Sequence, residues 1–121
     1  MSIIRSVYFS SEELVCRCGC GLNNMQEEFL LELDRLRAAM GKPLVITSGS
    51  RCAEWNAKQG GKPNSAHLVG KAADIAVSSG SFRWSLVEAA YTLGFKRIGV
   101  GNHFVHVDTD QHLPQRVMWT Y

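Results

Sequence analysis

The sequence lacks several features that would assign it at once to a particular class of protein. Its 121 residues contain no apolar run that approaches the roughly 20 residues of a membrane-spanning helix, so we expect no membrane partner. The net charge is only +2, and no run of lysine and arginine forms a patch, so we expect no nucleic-acid partner. No internal repeat, low-complexity tract or linker divides the chain, so residues 1–121 are expected to form one domain and to act as a monomer.

The beginning of the sequence does not have the pattern expected of a secretory signal peptide. The first ten residues, MSIIRSVYFS, contain too short an apolar stretch and no small-residue cleavage site. We therefore expect the chain to be made in the cytoplasm, so that any export depends on another route.

Four cysteines are present, but their spacing is unusual. Cys16, Cys18 and Cys20 alternate, Cys52 stands apart, and no C-x-x-C pair of the kind found in structural zinc sites occurs. For a chain made in the cytoplasm we expect reduced, partly buried thiols. A disulfide from the segment 16–20 to Cys52 is the second interpretation, and a second metal site is the third.

Hydrophobic patterns and turn residues predict an α+β fold. A helix start or turn is expected within 8–15, and a capping box at 24–27 predicts a helix that extends to Met40. Further helices are predicted at 52–59 and 82–93, and strands at 44–47, 73–77, 97–100 and 104–108. The tail at 118–121 is expected to add an edge strand or an aromatic cap.

Two separate segments carry residues that bind metals. In the segment 65–74, SAHLVGKAAD, His67 precedes Asp74 by seven positions, with Gly70 between them where the chain can reverse. On the strand 104–108, His106 and Asp108 share one face, because residues two apart on a strand point the same way. A hydrogen-bonded pair would explain that strand alone. Together with the first segment, a shared metal is the better interpretation.

Two histidines and one aspartate would leave a fourth zinc position for water, which is typical of catalytic rather than structural sites. Zinc in such a site polarises a carbonyl and acidifies water. Hydrolysis also needs a group that accepts and returns a proton, and the candidates are His103, Asp108 and Glu54. Asp108 has an alternative role, in which it orients a liganding imidazole.

Two further polar residues have two interpretations each, and a third has one. Arg51 has a planar guanidinium that suits a substrate carboxylate or carbonyl, or that ties loops together. Ser65 either binds substrate or caps its own loop. His112 lies in a polar stretch and is expected to be a surface histidine.

These motifs resemble those of the zinc D-Ala-D-Ala carboxypeptidase family of metallopeptidases, in its compact form from bacteria, prophages and phages. The resemblance rests on GKPLVITSGSRC at 41–52, NSAHLVGKAAD at 64–74 and FVHVD at 104–108, and it extends over residues 8–121. It implies the fold shared by hedgehog domains and D,D-peptidases, a small antiparallel sheet flanked by helices.

The resemblance also implies a site and an activity. By motif match, one zinc ion is bound by His67, Asp74 and His106, and Arg51 helps to bind substrate. The implied reaction is hydrolysis of a peptide bond at a D-amino acid in the peptidoglycan stem or cross-link, by carboxypeptidase or endopeptidase action. Family members place an acidic residue three positions before the last histidine, where this chain has His103.

Two other functions are compatible with the same residues. One is a module that keeps zinc without turnover and serves in cell-wall binding or virion assembly, and the other is a metal-free structural protein. Because no signal peptide is seen, we expect the chain to reach the cell wall by release or delivery, as in phage lysis or from a virion.

Overall fold

The computed structural model describes residues 6–121, so the first half of the segment used for the signal-peptide prediction lies outside the described residues. The elements in chain order are α1 (Ser11–Leu14), α2 (Glu27–Met40), β1 (Ile46–Ser48), α3 (Ala53–Lys58), a 3₁₀ helix (Ala66–Val69), β2 (Ala72–Ala76), α4 (Gly80–Leu93), β3 (Arg97–Val100), β4 (Phe104–Asp108) and β5 (Val117–Thr120). Over the described range, none of the helices combines the length and the apolar character that crossing a membrane requires.

The five strands form a single sheet in the order β1-β2-β4-β3-β5. The first four strands pair antiparallel, and β5 lies parallel to β3 at the edge of the sheet. The predicted α+β fold is therefore confirmed, and the tail does form an edge strand. The sheet is mixed rather than purely antiparallel because β5 returns along β3 after a loop, instead of joining it through a hairpin.

One face of the sheet packs against the long helices α2 and α4. Val105 and Val107 of β4 are fully buried, as their alternation with His106 and Asp108 predicts. The apolar residues that meet them from the two helices include Phe29, Leu33, Leu36, Leu86 and Ala90. Full burial of each large apolar side chain stabilises the fold by roughly 1.5–3 kcal/mol. This face therefore supplies most of the stability, and the other face is left for polar residues.

The capping box predicted for α2 is wrong. The helix begins at Glu27, and its N-cap, Gln26, makes no side-chain capping hydrogen bond. Asn24 lies two residues before that N-cap, and its Nδ2 donates to the carbonyl oxygen of Leu68, 2.9 Å away. A capping box does occur in α1, where Ser10 and Glu13 exchange hydrogen bonds. The other boundaries differ from prediction by two residues or fewer, which is ordinary fraying at element ends.

Gly70 reverses the chain between the 3₁₀ helix and β2. Its φ angle is +72°, and a Cβ atom at this position would lie 2.0 Å from the carbonyl oxygen of Asn24. The carbonyl of Gly70 also accepts a hydrogen bond of 2.8 Å from the backbone N–H of Gln26. The glycine is thus required twice, for its left-handed backbone and for the close approach of the segment before α2.

We expect Gly70→Ala to lower the free energy of unfolding by roughly 2–5 kcal/mol, the sum of a left-handed backbone and an overpacked contact. Gly60→Ala is a matched control, because Gly60 has a φ angle of +74° but no atom within 4 Å of the point that a Cβ atom would occupy. That variant should lose only about 1–2 kcal/mol. Equal losses in urea denaturation would show that the contact with Asn24 is unimportant.

Candidate metal centre

A single row of residues across the sheet forms the centre of the site. In the strand register, Ser48 lies opposite Asp74, Asp74 opposite His106, His106 opposite Gly99, and Gly99 beside Trp119. Side chains alternate between the two faces of a strand, so this row lies on the face away from the helical core. Strand pairing alone therefore places the aspartate and the second histidine next to each other.

The first histidine reaches this row from the 3₁₀ helix. Ser65 is the N-cap of that helix, and its hydroxyl accepts a hydrogen bond of 3.3 Å from the backbone N–H of His67. The ring of His67 is held by a 2.8 Å hydrogen bond between Nδ1 and the carbonyl oxygen of Gly49. The structure thus shows Ser65 capping its own loop, which is one of its two interpretations.

The three side chains meet at one carboxylate oxygen. Asp74 Oδ1 lies 3.2 Å from His67 Nε2 and 2.9 Å from His106 Nδ1. All three residues are buried, and their donor atoms form a group that can hold a metal ion. In tetrahedral zinc sites with bonds of about 2.0–2.2 Å, neighbouring donor atoms lie about 3.3 Å apart. The observed spacing therefore suits a small tetrahedral ion.

In each imidazole, one nitrogen makes a hydrogen bond on the side away from Asp74. That bond determines which nitrogen carries a proton and leaves a lone pair on the nitrogen that faces Asp74. The carbonyl of Gly49 can only accept, so Nδ1 of His67 carries a proton, and Nε2 is free to act as a ligand. His106 Nε2 lies 2.7 Å from Asp108 Oδ2, so this nitrogen donates, and Nδ1 is free. Two ring lone pairs and one carboxylate oxygen then converge in a buried space. Only a cation or a shared proton satisfies that arrangement, and zinc is the cation that suits these donors.

The pKa values of Asp74 and His106 in the metal-free site are shifted because these groups lie so close together. Burial works against the charge on Asp74, but hydrogen bonds from His106 and His67 outweigh it and hold the pKa of this carboxyl well below its usual range. Burial alone would lower the pKa of His106, but hydrogen bonds to Asp108 and Asp74 raise it. A positive charge is therefore stabilised between the two carboxylates, where the metal would lie.

Asp108 holds the ring of His106 through the nitrogen that points away from Asp74. Its side chain is fully buried, and its carboxylate accepts hydrogen bonds of 2.8 and 3.1 Å from Arg97 Nε in addition to the bond with His106. The backbone N–H of Asp110 donates to the same carboxylate at 3.1 Å. A carboxylate with this many partners orients the imidazole and fixes its tautomer. This geometry matches the orienting role, the alternative to a role for Asp108 in proton transfer.

Arg51 supports Asp74 in a similar way. Its guanidinium donates to Asp74 Oδ2 at 3.2 Å, to Ser48 Oγ at 2.9 Å and to Asn56 Oδ1 at 3.1 Å. The ion pair turns the other oxygen, Oδ1, toward the two imidazoles. The arginine therefore ties loops together at the site, and its predicted contact with substrate stays a prediction.

The remaining histidines lie at the surface. His103 is exposed in the loop between β3 and β4, and within residues 6–121 its ring has no hydrogen-bond partner. His112 is exposed as predicted, with a 3.4 Å contact between its Nδ1 and Asp110. Glu54 is exposed in the first turn of α3. The structure thus brings together the three predicted ligands and Asp108, but it leaves His103 outside their hydrogen-bond network.

The sequence patterns did not reveal several residues around the site. Trp119 lies with its ring centroid 5.4 Å from that of His106, and the guanidinium of Arg97 lies 4.9 Å above the Trp119 ring. Gly99 makes room for the indole, since a Cβ atom there would lie 2.7 Å from it. A glycine inside the strand 97–100 was the available signal, because it often marks the close approach of another group.

Comparison with known proteins agrees with this geometry. A sequence model of the family described as Peptidase M15 matches residues 7–108. A protein of Streptomyces albus G named zinc D-Ala-D-Ala carboxypeptidase is 40% identical over 68 residues, a match that covers 55% of this chain and 26% of that protein. The single zinc ion expected for the site agrees with the family and with the donor set. The family model matches most of the length of the chain, and the chain therefore belongs to the Peptidase M15 family.

Proposed function

We propose that the chain is a zinc-dependent peptidase that hydrolyses a peptide bond at a D-amino acid in the stem or cross-link of peptidoglycan. The main support is the convergence of His67 Nε2, His106 Nδ1 and Asp74 Oδ1 in a member of a peptidase family. Three protein ligands leave one position of a tetrahedral ion open, as in catalytic zinc sites. The substrate class is carried over from the name of the relative, which the chain matches over only 26% of that protein's length.

The residues of the site would have different roles in the proposed hydrolysis. Zinc held by His67, Asp74 and His106, called here the triad, would supply a Lewis acid for the scissile carbonyl and for the attacking water. Arg51 and Asp108 are positioning residues, because each holds a ligand through a buried hydrogen bond. The ring of Trp119, beside His106, offers an apolar wall against which a small side chain of the substrate can pack.

We propose His103 as the residue that accepts the proton of the water and returns it to the leaving amine. Asp108 is less suited to this step, since both of its carboxylate oxygens accept hydrogen bonds in a buried place. The ring of His103 is exposed, and an imidazole is the side chain that most often serves as a general acid–base group. It precedes His106 by three residues, in the loop immediately before the strand that carries the ligand.

The function is tested by incubating the purified protein with muropeptides and reading the products by mass spectrometry. We expect loss of a terminal D-alanine or cleavage of a cross-link, abolished by a chelator and restored by zinc. Synthetic peptides ending in D-Ala-D-Ala and in L-Ala-L-Ala are the matched pair for the stereochemistry. His103→Ala should lower kcat by about 10²–10⁴-fold at unchanged zinc content, as expected for loss of a general acid–base group.

Several outcomes would contradict parts of this proposal. Muropeptides left intact by a protein with zinc in the triad would favour the alternative, a cell-wall-binding or virion assembly module. Unchanged kcat and an unchanged pH profile in His103→Ala would remove His103 from the reaction. Peptidoglycan lies outside the cytoplasm, and we propose that the chain acts on it after release or delivery, for example in phage lysis or from a virion.

A further inference from the structure

Four cysteines meet where the segment after α1 contacts the segment before α3. The Sγ atoms of Cys16, Cys18, Cys20 and Cys52, called here the cysteine cluster, all lie within 4.8 Å of one another. None of them forms a disulfide, and all four are free thiols. Chain positions that are up to 36 residues apart are thus brought to one point.

The spacing of the sulfur atoms is that of a tetrahedral metal site. Cys18 Sγ lies 3.5 Å from Cys16 Sγ and 3.6 Å from Cys52 Sγ. Zinc bound to four thiolates at about 2.3 Å places neighbouring sulfur atoms about 3.8 Å apart. Four sulfur atoms that share one small volume also match the full ligand set of a closed structural site, whereas a disulfide would use only two of them.

The backbone of the loop explains how cysteines two residues apart can face one point. Gly19 and Gly21 adopt φ angles of +88° and +85°, so the loop curls instead of continuing as an extended strand. The Cys16 N–H donates to the carbonyl of Leu22 at 2.8 Å and closes the loop at its base. The glycines thus substitute for the longer spacing between cysteines that is usual in structural zinc sites.

Backbone N–H groups are directed at two of the sulfur atoms. The N–H of Cys52 lies 3.4 Å from Cys16 Sγ, and the N–H of Trp55 lies 3.4 Å from Cys52 Sγ. Such donors stabilise the negative charge of metal-bound thiolates, as outer partners do in other metal sites. The cluster therefore has both the ligands and part of the supporting hydrogen bonds that a metal needs.

We propose that the cysteine cluster binds a second metal ion, a zinc ion held by four thiolates that release their protons to water on binding. This reverses the order of interpretations that the cysteine spacing favoured. The ion crosslinks the loop after α1 to the segment that contains Gly49 and Arg51, and those two residues hold His67 and Asp74. Its role is structural, and it does not depend on the proposed peptidase activity.

Metal analysis of protein purified under reducing conditions tests the proposal. We expect two zinc ions per chain in the unmodified protein, one for each donor group. His67→Ala and the double variant Cys18→Ser, Cys20→Ser should each lose one ion. Cys18 and Cys20 are chosen because both are exposed, whereas Cys16 is buried and Cys52 caps α3. Cobalt bound to His67→Ala should show a thiolate charge-transfer band that the double cysteine variant lacks.

A second measurement needs no substitution. Exposed Cys18 and Cys20 should resist alkylation until a chelator is added, because metal-bound thiolates are poor nucleophiles, and the triad contributes no thiol to this signal. The proposal is overturned if alkylation is equally fast with and without chelator. It is also overturned by a single zinc ion that His67→Ala abolishes, or by a disulfide in the mass of the unreduced protein. Failure of the muropeptide assay alone would leave these results unaffected.

Discussion

His67→Ala should remove the metal of the triad and nearly all peptide hydrolysis, while the protein stays folded. The ring is one of three ligands, and it makes no contribution to the apolar face of the sheet that packs on α2 and α4. Loss of a Lewis acid worth several kcal/mol corresponds to a fall in kcat/KM of about 10³-fold or more. The measurements are zinc content, peptide hydrolysis and circular dichroism on the same preparation.

His112→Ala is the matched control for this prediction. His112 is an exposed histidine outside the candidate metal centre, with its Nδ1 3.4 Å from Asp110, so zinc content and rate should both stay at the level of the unmodified protein. Asp74→Asn tests the charge separately from the shape, and it should also lose the metal, since Asp74 Oδ1 joins both imidazoles. Full hydrolysis by metal-stripped His67→Ala protein would end the proposal of a zinc peptidase.

Arg97→Met should destabilise the fold by about 3–5 kcal/mol, because it leaves the fully buried carboxylate of Asp108 without its cationic partner. Methionine keeps most of the length of the side chain, so the loss reports mainly on charge and hydrogen bonding. The same change should weaken zinc binding or activity about 10–100-fold, as is typical for outer partners of metal ligands, since Asp108 would no longer hold His106 as firmly. Urea denaturation and metal titration measure the two effects.

Arg35→Met provides the comparison at the surface. The Arg35–Glu32 pair on α2 is also close, at 3.1 Å, but the arginine side chain is 59% exposed. Exposed pairs of this kind contribute about 0–1 kcal/mol, so this variant should unfold almost as the unmodified protein does. Similar losses in both arginine variants would mean that burial of the Arg97–Asp108 pair has no special importance.

Local sequence patterns predicted most of the elements and, together with the family resemblance, the three side chains that meet in the candidate metal centre. Periodicity of the apolar residues located α2, α4 and the hairpin of β3 and β4, because helix and strand faces repeat at different intervals. The alternation around His106 correctly predicted that Val105 and Val107 face the core. The left-handed turn at Gly70 was likewise anticipated, since glycine tolerates a positive φ angle.

How those side chains are used depends on the tertiary fold. The register of β2 against β4 places Asp74 opposite His106, and it is this pairing that brings the lone pairs of the ligands together. Arg51 donates to Asp74, 23 residues further along the chain, and Arg97 of β3 donates to Asp108, 11 residues away, so neither contact follows from a local pattern. The cysteine spacing argued against a metal, yet the folded loop and α3 bring four sulfur atoms together. Local patterns report which face a residue occupies, but contacts between distant segments depend on the packing of the whole chain.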